Sequence, residues 1–226
     1  MLTQEQLAFF TQVLPCWGEL DREHQRLLER TIAEQKIKKG EFLYQGDRDC
    51  TGVFWVRQGQ ARVFLISGEK QITLYRLLER DSCFLSASCV IKNINFDVFI
   101  QAEKDCEILL LPAKVYQELM ERSFPLATYC NQILASRFSD VMWVMEQIVF
   151  SSFDRRLAVF LLEQKNIEEN GTLHITHEEI SKHLGTAREV VTRMLKYFQE
   201  EGLVSLSRGV IRLTDEERLR NLAYEK

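Results

Sequence analysis

Near the C-terminal end of the sequence, Arg188, Glu189, Thr192 and Arg193 have the side-chain types and spacing that make hydrogen bonds to base edges. At about 100° per residue they gather with Lys196 on one side of a helix, while Val190, Val191, Met194, Leu195 and Phe198 gather on the other. One side is core and the other is free to do chemistry. A guanidinium donates two hydrogen bonds to guanine O6 and N7, a carboxylate accepts from cytosine N4, and a threonine methyl meets a thymine methyl. Thr186, Lys196 and Arg208 are expected to meet phosphates, which position a reader without specifying sequence. The alternative is a solvated, internally salt-bridged helix face, the usual fate of a charge cluster.

A second candidate is chemically softer. Of the six cysteines, Cys16, Cys50, Cys83, Cys89, Cys106 and Cys130, no two form the C-x2-C pair of a structural zinc site, and no metal site is expected. A free cysteine usually behaves as a small buried apolar residue. The run Cys83-Phe84-Leu85-Ser86-Ala87-Ser88-Cys89 stands apart, because two thiols flank two hydroxyls. Its two thiols are the ones to watch for chemistry beyond packing. Plain packing of both cysteines is the alternative. The four histidines, His24, His174, His177 and His183, show no pairing with a nucleophile or with metal-ligand spacing, so an enzyme is not expected. His177 and His183 are expected as exposed polar residues.

The elements that must hold these groups follow from the pattern. Thr176-His177-Glu178-Glu179 is a capping box that starts a helix, Ile180 and Leu184 lie on its apolar face, and Gly185 breaks it before a second helix from about Thr186 to Glu200. Leu203–Leu206, the turn Ser207-Arg208-Gly209 and Val210–Leu213 make a hairpin, or wing. Thr214 is expected to cap a last helix that opens Asp215-Glu216-Glu217. Between about Lys39 and Pro112, short β-branched and aromatic runs alternate with Gly40, Gly46, Gly52, Gly59 and Gly68, as in a β-sandwich or roll. Thr3 to Gln35 reads as helical, as do Ala113–Arg122 and Asp154–Gln164. A long helix starts near Pro125, where Leu134, Phe138, Val141, Met145 and Ile148 recur at steps of four and three. That two-heptad seam pairs either with another helix or within its own chain.

Composition fits an α+β protein of two modest domains: 226 residues, 46% hydrophobic and 27% charged, with a formal net charge of −4. The boundaries expected are a sensor domain with flanking helices over 1–124, a dimerisation helix over 125–150 and a winged helix-turn-helix over 151–226. Residues 151–226 hold twelve Lys plus Arg against thirteen Asp plus Glu, so specificity must come from the helix rather than from a basic coat. No apolar run reaches the ~18 residues that cross a bilayer, and no membrane partner is expected. Met1–Leu20 lacks the basic and apolar regions of a secretory signal, so a cytoplasmic location is expected.

The order of β-roll, long helix and winged helix-turn-helix resembles the Crp/Fnr family of bacterial transcription regulators over nearly the whole chain. Lys38-Lys39-Gly40-Glu41-Phe42-Leu43-Tyr44-Gln45-Gly46-Asp47 is similar to the family's opening β-roll turn. Arg188-Glu189-x-x-x-Arg193 resembles the recognition helix of the catabolite activator branch, and Glu189-x-x-Thr192-Arg193 that of the oxygen-regulator branch, which has serine at the Thr192 position. The resemblance implies a cyclic-nucleotide-binding-like β-roll and a homodimer on palindromic double-stranded DNA, with half-sites near TGTGA or TTGAT and RNA polymerase as a partner. Cyclic-nucleotide binders of the family carry Gly-Glu for the ribose and Arg-Ser for the phosphate, where this chain has Ser86-Ala87-Ser88 and Phe96-Asp97. An aspartate there repels a phosphate, which disfavours cyclic AMP. An iron–sulfur cluster is disfavoured because the N-terminal region offers only Cys16. Haem ligation stays open, with His24 the only histidine before His174. Cys83 and Cys89 flank Ser86 and Ser88 at the place where, by the resemblance, relatives bind effector, which makes Cys83, Ser86, Ser88 and Cys89 candidates for an effector pocket whose thiols would sense an oxidant or line a cavity for an uncharged or aromatic molecule. The rival to a DNA-binding regulator is a ligand-binding or thiol-redox β-roll whose helical tail only oligomerises.

Overall fold

The structure, a computed structural model, describes residues 2–46, 51–87, 97–168 and 171–224. Two compact units emerge, one of Met1–Leu65 with Leu74–Val141 and one of Ile66–Thr73 with Met142–Lys226.

In the first unit, Thr3 opens helix α1 (Gln4–Val13) with a capping box: its hydroxyl accepts from Gln6 N–H at 3.2 Å, and Gln6 Oε1 accepts from Thr3 N–H at 2.9 Å. Asp21 caps α2 (Arg22–Thr31) through His24 N–H at 2.8 Å. The helical reading to Gln35 fails beyond Ile32. Ala33–Ile37 is strand β1, paired antiparallel with β8 (Cys106–Pro112) from Ala33↔Leu110 to Ile37↔Cys106. A waiting strand edge overrides the helical preference of a short polar run.

Strands β2 (Phe42–Gln45), β3 (Gly52–Gln58), β4 (Ala61–Ser67), β5 (Lys70–Leu77), β6 (Ser82–Cys83) and β7 (Phe99–Ala102) complete two four-stranded sheets, in the orders β1-β8-β3-β6 and β2-β7-β4-β5. The apolar run of β3 is explained by cover on both faces. Val53 and Trp55 turn into a core with the flanking helices, where Phe10 meets Trp55 edge-on at 4.8 Å between ring centroids. Phe54 and Val56 turn the other way, into the core that holds Tyr44, Val63 and Ile100. Helices α3 (Ala113–Arg122) and α4 (Phe124–Phe150) follow. Leu126, Tyr129 and Cys130 seat the start of α4 on the first core, and Tyr129 donates to the Val13 carbonyl at 3.0 Å.

The second unit has its own core. Helix α5 (Phe153–Glu168) supplies Leu157, Phe160 and Leu161, and α6 (His177–Leu184) supplies Ile180. Helix α7 (Arg188–Glu200) supplies Val191, Leu195 and Phe198, and α8 (Glu216–Tyr224) supplies Leu219 and Ala223. A short strand β9 (Thr172–Leu173) joins the wing strands β10 (Val204–Ser207) and β11 (Val210–Leu213) in the order β10-β11-β9. Thr214 does not cap α8. Its hydroxyl donates to the Gly202 carbonyl at 2.6 Å, and Asp215 accepts from Arg218 N–H at 3.0 Å instead. A carboxylate at the positive end of a helix is the stronger acceptor.

The glycine punctuation of the β-roll separates two costs. Gly40 and Gly59 both have positive φ, but a Cβ on Gly40 meets nothing within 4 Å, whereas one on Gly59 would lie 2.2 Å from the Asp105 carbonyl oxygen. Gly40→Ala is expected to cost about 1 kcal/mol of unfolding free energy, from backbone strain alone. Gly59→Ala is expected to cost about 3 kcal/mol or more, because backbone must also move. Urea unfolding of the two variants measures the difference.

Candidate nucleic-acid interface

The capping box read from sequence forms at α6: Thr176 Oγ1 accepts from Glu179 N–H at 3.2 Å, and Glu179 Oε2 accepts from Thr176 N–H at 2.8 Å. Gly185 ends the helix in the left-handed region, φ 66° and ψ 34°, and the N–H groups of Gly185 and Thr186 both reach the Ser181 carbonyl. That closure turns the chain sharply into α7, whose N-cap position is Ala187 with no side-chain cap.

Arg188, Glu189, Arg193 and Lys196 are exposed on α7, while Val191, Leu195 and Phe198 are fully buried. Arg188, Glu189, Thr192, Arg193 and Lys196 line one open concave surface together with Tyr197 and Glu200. The last two were missed from sequence, although Tyr197 stands one turn beyond Arg193 on the same face. Thr192 is held in place. Its hydroxyl donates to the Arg188 carbonyl at 3.0 Å and lies 2.9 Å from His177 Nδ1, so its methyl is the part left to offer. Thr186 is half-buried in the turn, and Arg208 is exposed in the two-residue connection between Ser207 and Val210, which face each other across the hairpin.

Charge pairing distinguishes this face from a salt-bridged one. Elsewhere in the unit Lys165 and Arg220 pair with Glu216, Lys182 with Glu178, and Arg218 with Glu201. Among the described residues no salt bridge engages Arg188, Arg193, Lys196 or Arg208. Of the two histidines expected at the surface, His177 is half-buried beside Thr192. His183 is buried, its ring 5.2 Å from that of Phe160 and its Nδ1 2.8 Å from the Thr73 hydroxyl, so an aromatic contact and a hydrogen bond together offset burial of the imidazole.

The candidate effector residues lie elsewhere. Cys83 is 1% exposed on β6, and burial pushes its thiol above the ordinary value, although the Ser86 and Leu85 backbone beside it acts the other way. Ser86 is fully buried and donates to the Gly52 carbonyl at 2.5 Å. Ser88 and Cys89 fall outside the described residues, as does Phe96, whereas Asp97 is exposed. Cys16, Cys106 and Cys130 are buried, and burial lifts the Cys130 thiol to about 12.

On α4, Phe138, Met145 and Ile148 of the expected seam are exposed, but Leu134 and Val141 are partly buried against the chain's own cores. A longer stripe runs beside it. Phe124, Thr128, Asn131, Ala135, Phe138, Met142, Met145 and Val149 follow at alternating steps of four and three, and all eight are exposed.

Residues 155–222 match the family of Crp-like helix-turn-helix domains, and residues 34–123 match the cyclic nucleotide-binding domain family. The chain is 48% identical to a transcriptional regulator of the Crp/Fnr family from Eubacterium rectale whose structure has been solved. That alignment covers 94% of this chain and 99% of the other, with a TM-score of 0.92. The chain belongs to the Crp/Fnr family. It is a DNA-binding transcription regulator with a sensing domain of the cyclic-nucleotide-binding type, which sets aside a tail that only oligomerises. More distant similarity reaches the transcriptional activator protein anr of Pseudomonas aeruginosa, 28% identical over 79% of this chain and 75% of that one. It also reaches the cyclic AMP receptor protein of Thermus thermophilus, 26% identical over 80% of this chain and 83% of that one.

His177 gives the site a pH signature. Burial, and then the Arg188 charge, hold its pKa below the ordinary 6.5, so the folded chain takes up this proton less readily than the unfolded chain. Stability is full above pH 6.5 and falls as pH drops from there toward the lower folded pKa. His177→Gln is expected to flatten that part of the profile, as read by urea unfolding on either side of pH 6.5.

Proposed function

We propose that this regulator acts in the cytoplasm as a homodimer that reads palindromic double-stranded DNA through α7 and works with RNA polymerase. The observation that carries the reading is a helix face whose cations have no salt-bridge partner among the described residues, opposite an apolar face on which Val191, Leu195 and Phe198 are fully buried. Arg188, Glu189, Thr192 and Arg193 read base edges, and Thr186, Lys196 and Arg208 hold phosphates. In this reading the exposed stripe of α4 is the dimer seam, with Phe138, Met142, Met145 and Val149 as its apolar half. Leu134, Val141 and Ile148 flank it.

The signal is a small molecule or a redox change received by the β-roll, and neither cyclic AMP nor an iron–sulfur cluster suits the residues present. Asp97 brings a carboxylate where a phosphate needs a cation, and Cys16 is buried in the core with its thiol raised by burial. Burial of Cys83 with a raised thiol favours a pocket-wall or packing role over a reactive one. Effector binding would then shift the population between arrangements of the two reading helices.

Selection from random duplex DNA at fixed salt should enrich a palindrome with half-sites about one helical turn apart. Arg188→Ala and Arg193→Ala should each cost about 1–3 kcal/mol at one base position and relax specificity there. Lys196→Ala and Arg208→Ala should weaken binding to all sequences alike and reduce the salt slope by about one each. Equal weakening on every sequence by Arg188→Ala and Arg193→Ala would make those two phosphate contacts.

The seam has its own test. Phe138→Asp combined with Met145→Asp should weaken self-association by about tenfold or more in sedimentation, with helix content unchanged. An unaltered dimer would place the interface elsewhere.

A further inference from the structure

Arg137 stands one residue before Phe138, on the opposite flank of α4 from the seam, and its surroundings are unusual for a cation. Its side chain is 17% exposed and its guanidinium lies 4.9 Å from the centre of the Tyr75 ring on β5. Nη2 donates to Asp81 Oδ1 at 2.9 Å and Nη1 donates to Asp140 Oδ2 at 3.0 Å, while Nε is buried with no hydrogen-bond partner among the described residues. One carboxylate is local, three residues along the same helix. The other comes from the turn Leu78–Asp81 between β5 and β6, so a single pair ties α4 to the sheet.

That turn is built around its aspartate. Asp81 Oδ2 accepts from Leu78 N–H at 2.8 Å, and the turn is bonded to β3 through Arg80 N–H to Val56 O at 2.8 Å and Val56 N–H to Asp81 O at 2.9 Å. Arg80 has φ 76°, a left-handed conformation disfavoured for a residue with a side chain. Such a conformation persists where the surrounding bonds over-determine it. Here the result is a carboxylate fixed in place before α4 arrives. Val141, one turn further on, packs against the core that contains Tyr75 and Cys83.

A largely buried arginine that joins a helix to a β-roll needs an anion beside it, either a ligand or a carboxylate of the chain. We propose that the chain itself supplies it: Asp81 is a built-in counter-anion that holds Arg137, and with it α4, against the β-roll without an anionic effector. Two carboxylates around one guanidinium leave the cluster net negative and so repel an incoming carboxylate or phosphate. A molecule that acts on α4 here is therefore uncharged, or must displace Asp81. The inference rests on the sensing role proposed above for the β-roll, but its test reads the helix and involves no DNA.

The test is hydrogen exchange of the α4 amides around Arg137 in the full chain, free of nucleotide, with and without acetate or inorganic phosphate as the probe anion. In the unaltered chain neither anion should change the exchange. Asp81→Asn keeps an acceptor for Leu78 N–H but removes the charge, and Arg137→Gln removes the cation with the turn intact. Each should speed exchange about tenfold, and the double variant should be no faster than the faster single one. Asp81→Ala, which opens a carboxylate-sized gap, should be slowed again by acetate, and Arg137→Gln should not respond. Additive single effects, unchanged exchange in both charge variants, or an unaltered chain that tightens on acetate would each overturn the proposal.

Discussion

Over twenty-seven residues α4 carries two apolar stripes, and its own chain covers only one of them. A helix of this length, about 40 Å, owes most of its stability to packing rather than to intrinsic propensity. Leu126, Tyr129, Cys130, Ile133 and Leu134 supply that packing in its first half, and Arg137 and Val141 extend it. The other stripe, from Phe124 to Val149, stays in solvent along its whole length. A row of exposed Phe, Met and Val along one helix face is the kind of patch that marks an interface. Thr128, Asn131 and Ala135 make its first half small or polar, so the apolar contribution is concentrated in the second.

Charge follows a similar division of labour in the second unit. A net charge near zero looked unpromising for a DNA reader, but the sum hides how the charges are arranged. The acidic residues Glu178, Glu201 and Glu216 pair with Lys165, Lys182, Arg218 and Arg220 within the unit, and among the described residues no salt bridge engages the cations of α7 or of the wing turn. A local field depends on which charges are already compensated at short range, because screening removes distant ones within about 8–10 Å. Glu189 fits the same logic: on a face meant for phosphates alone it would be a cost, whereas on the base-reading face proposed for α7 it would be an acceptor for cytosine.

How far these features could be read from the sequence depended on how local they were. The capping box at Thr176, the break at Gly185 and the two-faced pattern of α7 involve neighbours within one or two turns, and they stand in the structure as the residues suggested. Strand β1 depended on a partner about seventy residues away, and β9 on one almost forty away, so no window of sequence announces either. Thr214 lost the capping position because its hydroxyl found the Gly202 carbonyl, a contact set by the path of the chain after α7. His183 went inward because Phe160 of α5 was there to receive it. The burial of Leu134 and Val141 on α4 was hidden for a different reason. With apolar residues on two adjacent faces, periodicity selects a stripe between them, and Leu134 and Val141 belong to the covered side.

The angle between those stripes constrains any mechanism that works through α4. At 100° per residue, the exposed stripe and the one suggested by Leu134, Val141 and Ile148 lie roughly 70° apart and share Phe138 and Met145. Rotating the helix to expose the second set would uncover Leu134 and Val141 and break the Arg137–Asp81 pair. Those losses fall together, because the three side chains occupy consecutive turns of one face. Close-packed interfaces of this kind do not deform by degrees; they hold one arrangement until another becomes lower in free energy. A signal received in the β-roll therefore has to be worth the sum of these contacts, through its own differential binding to the two arrangements, before α4 can move.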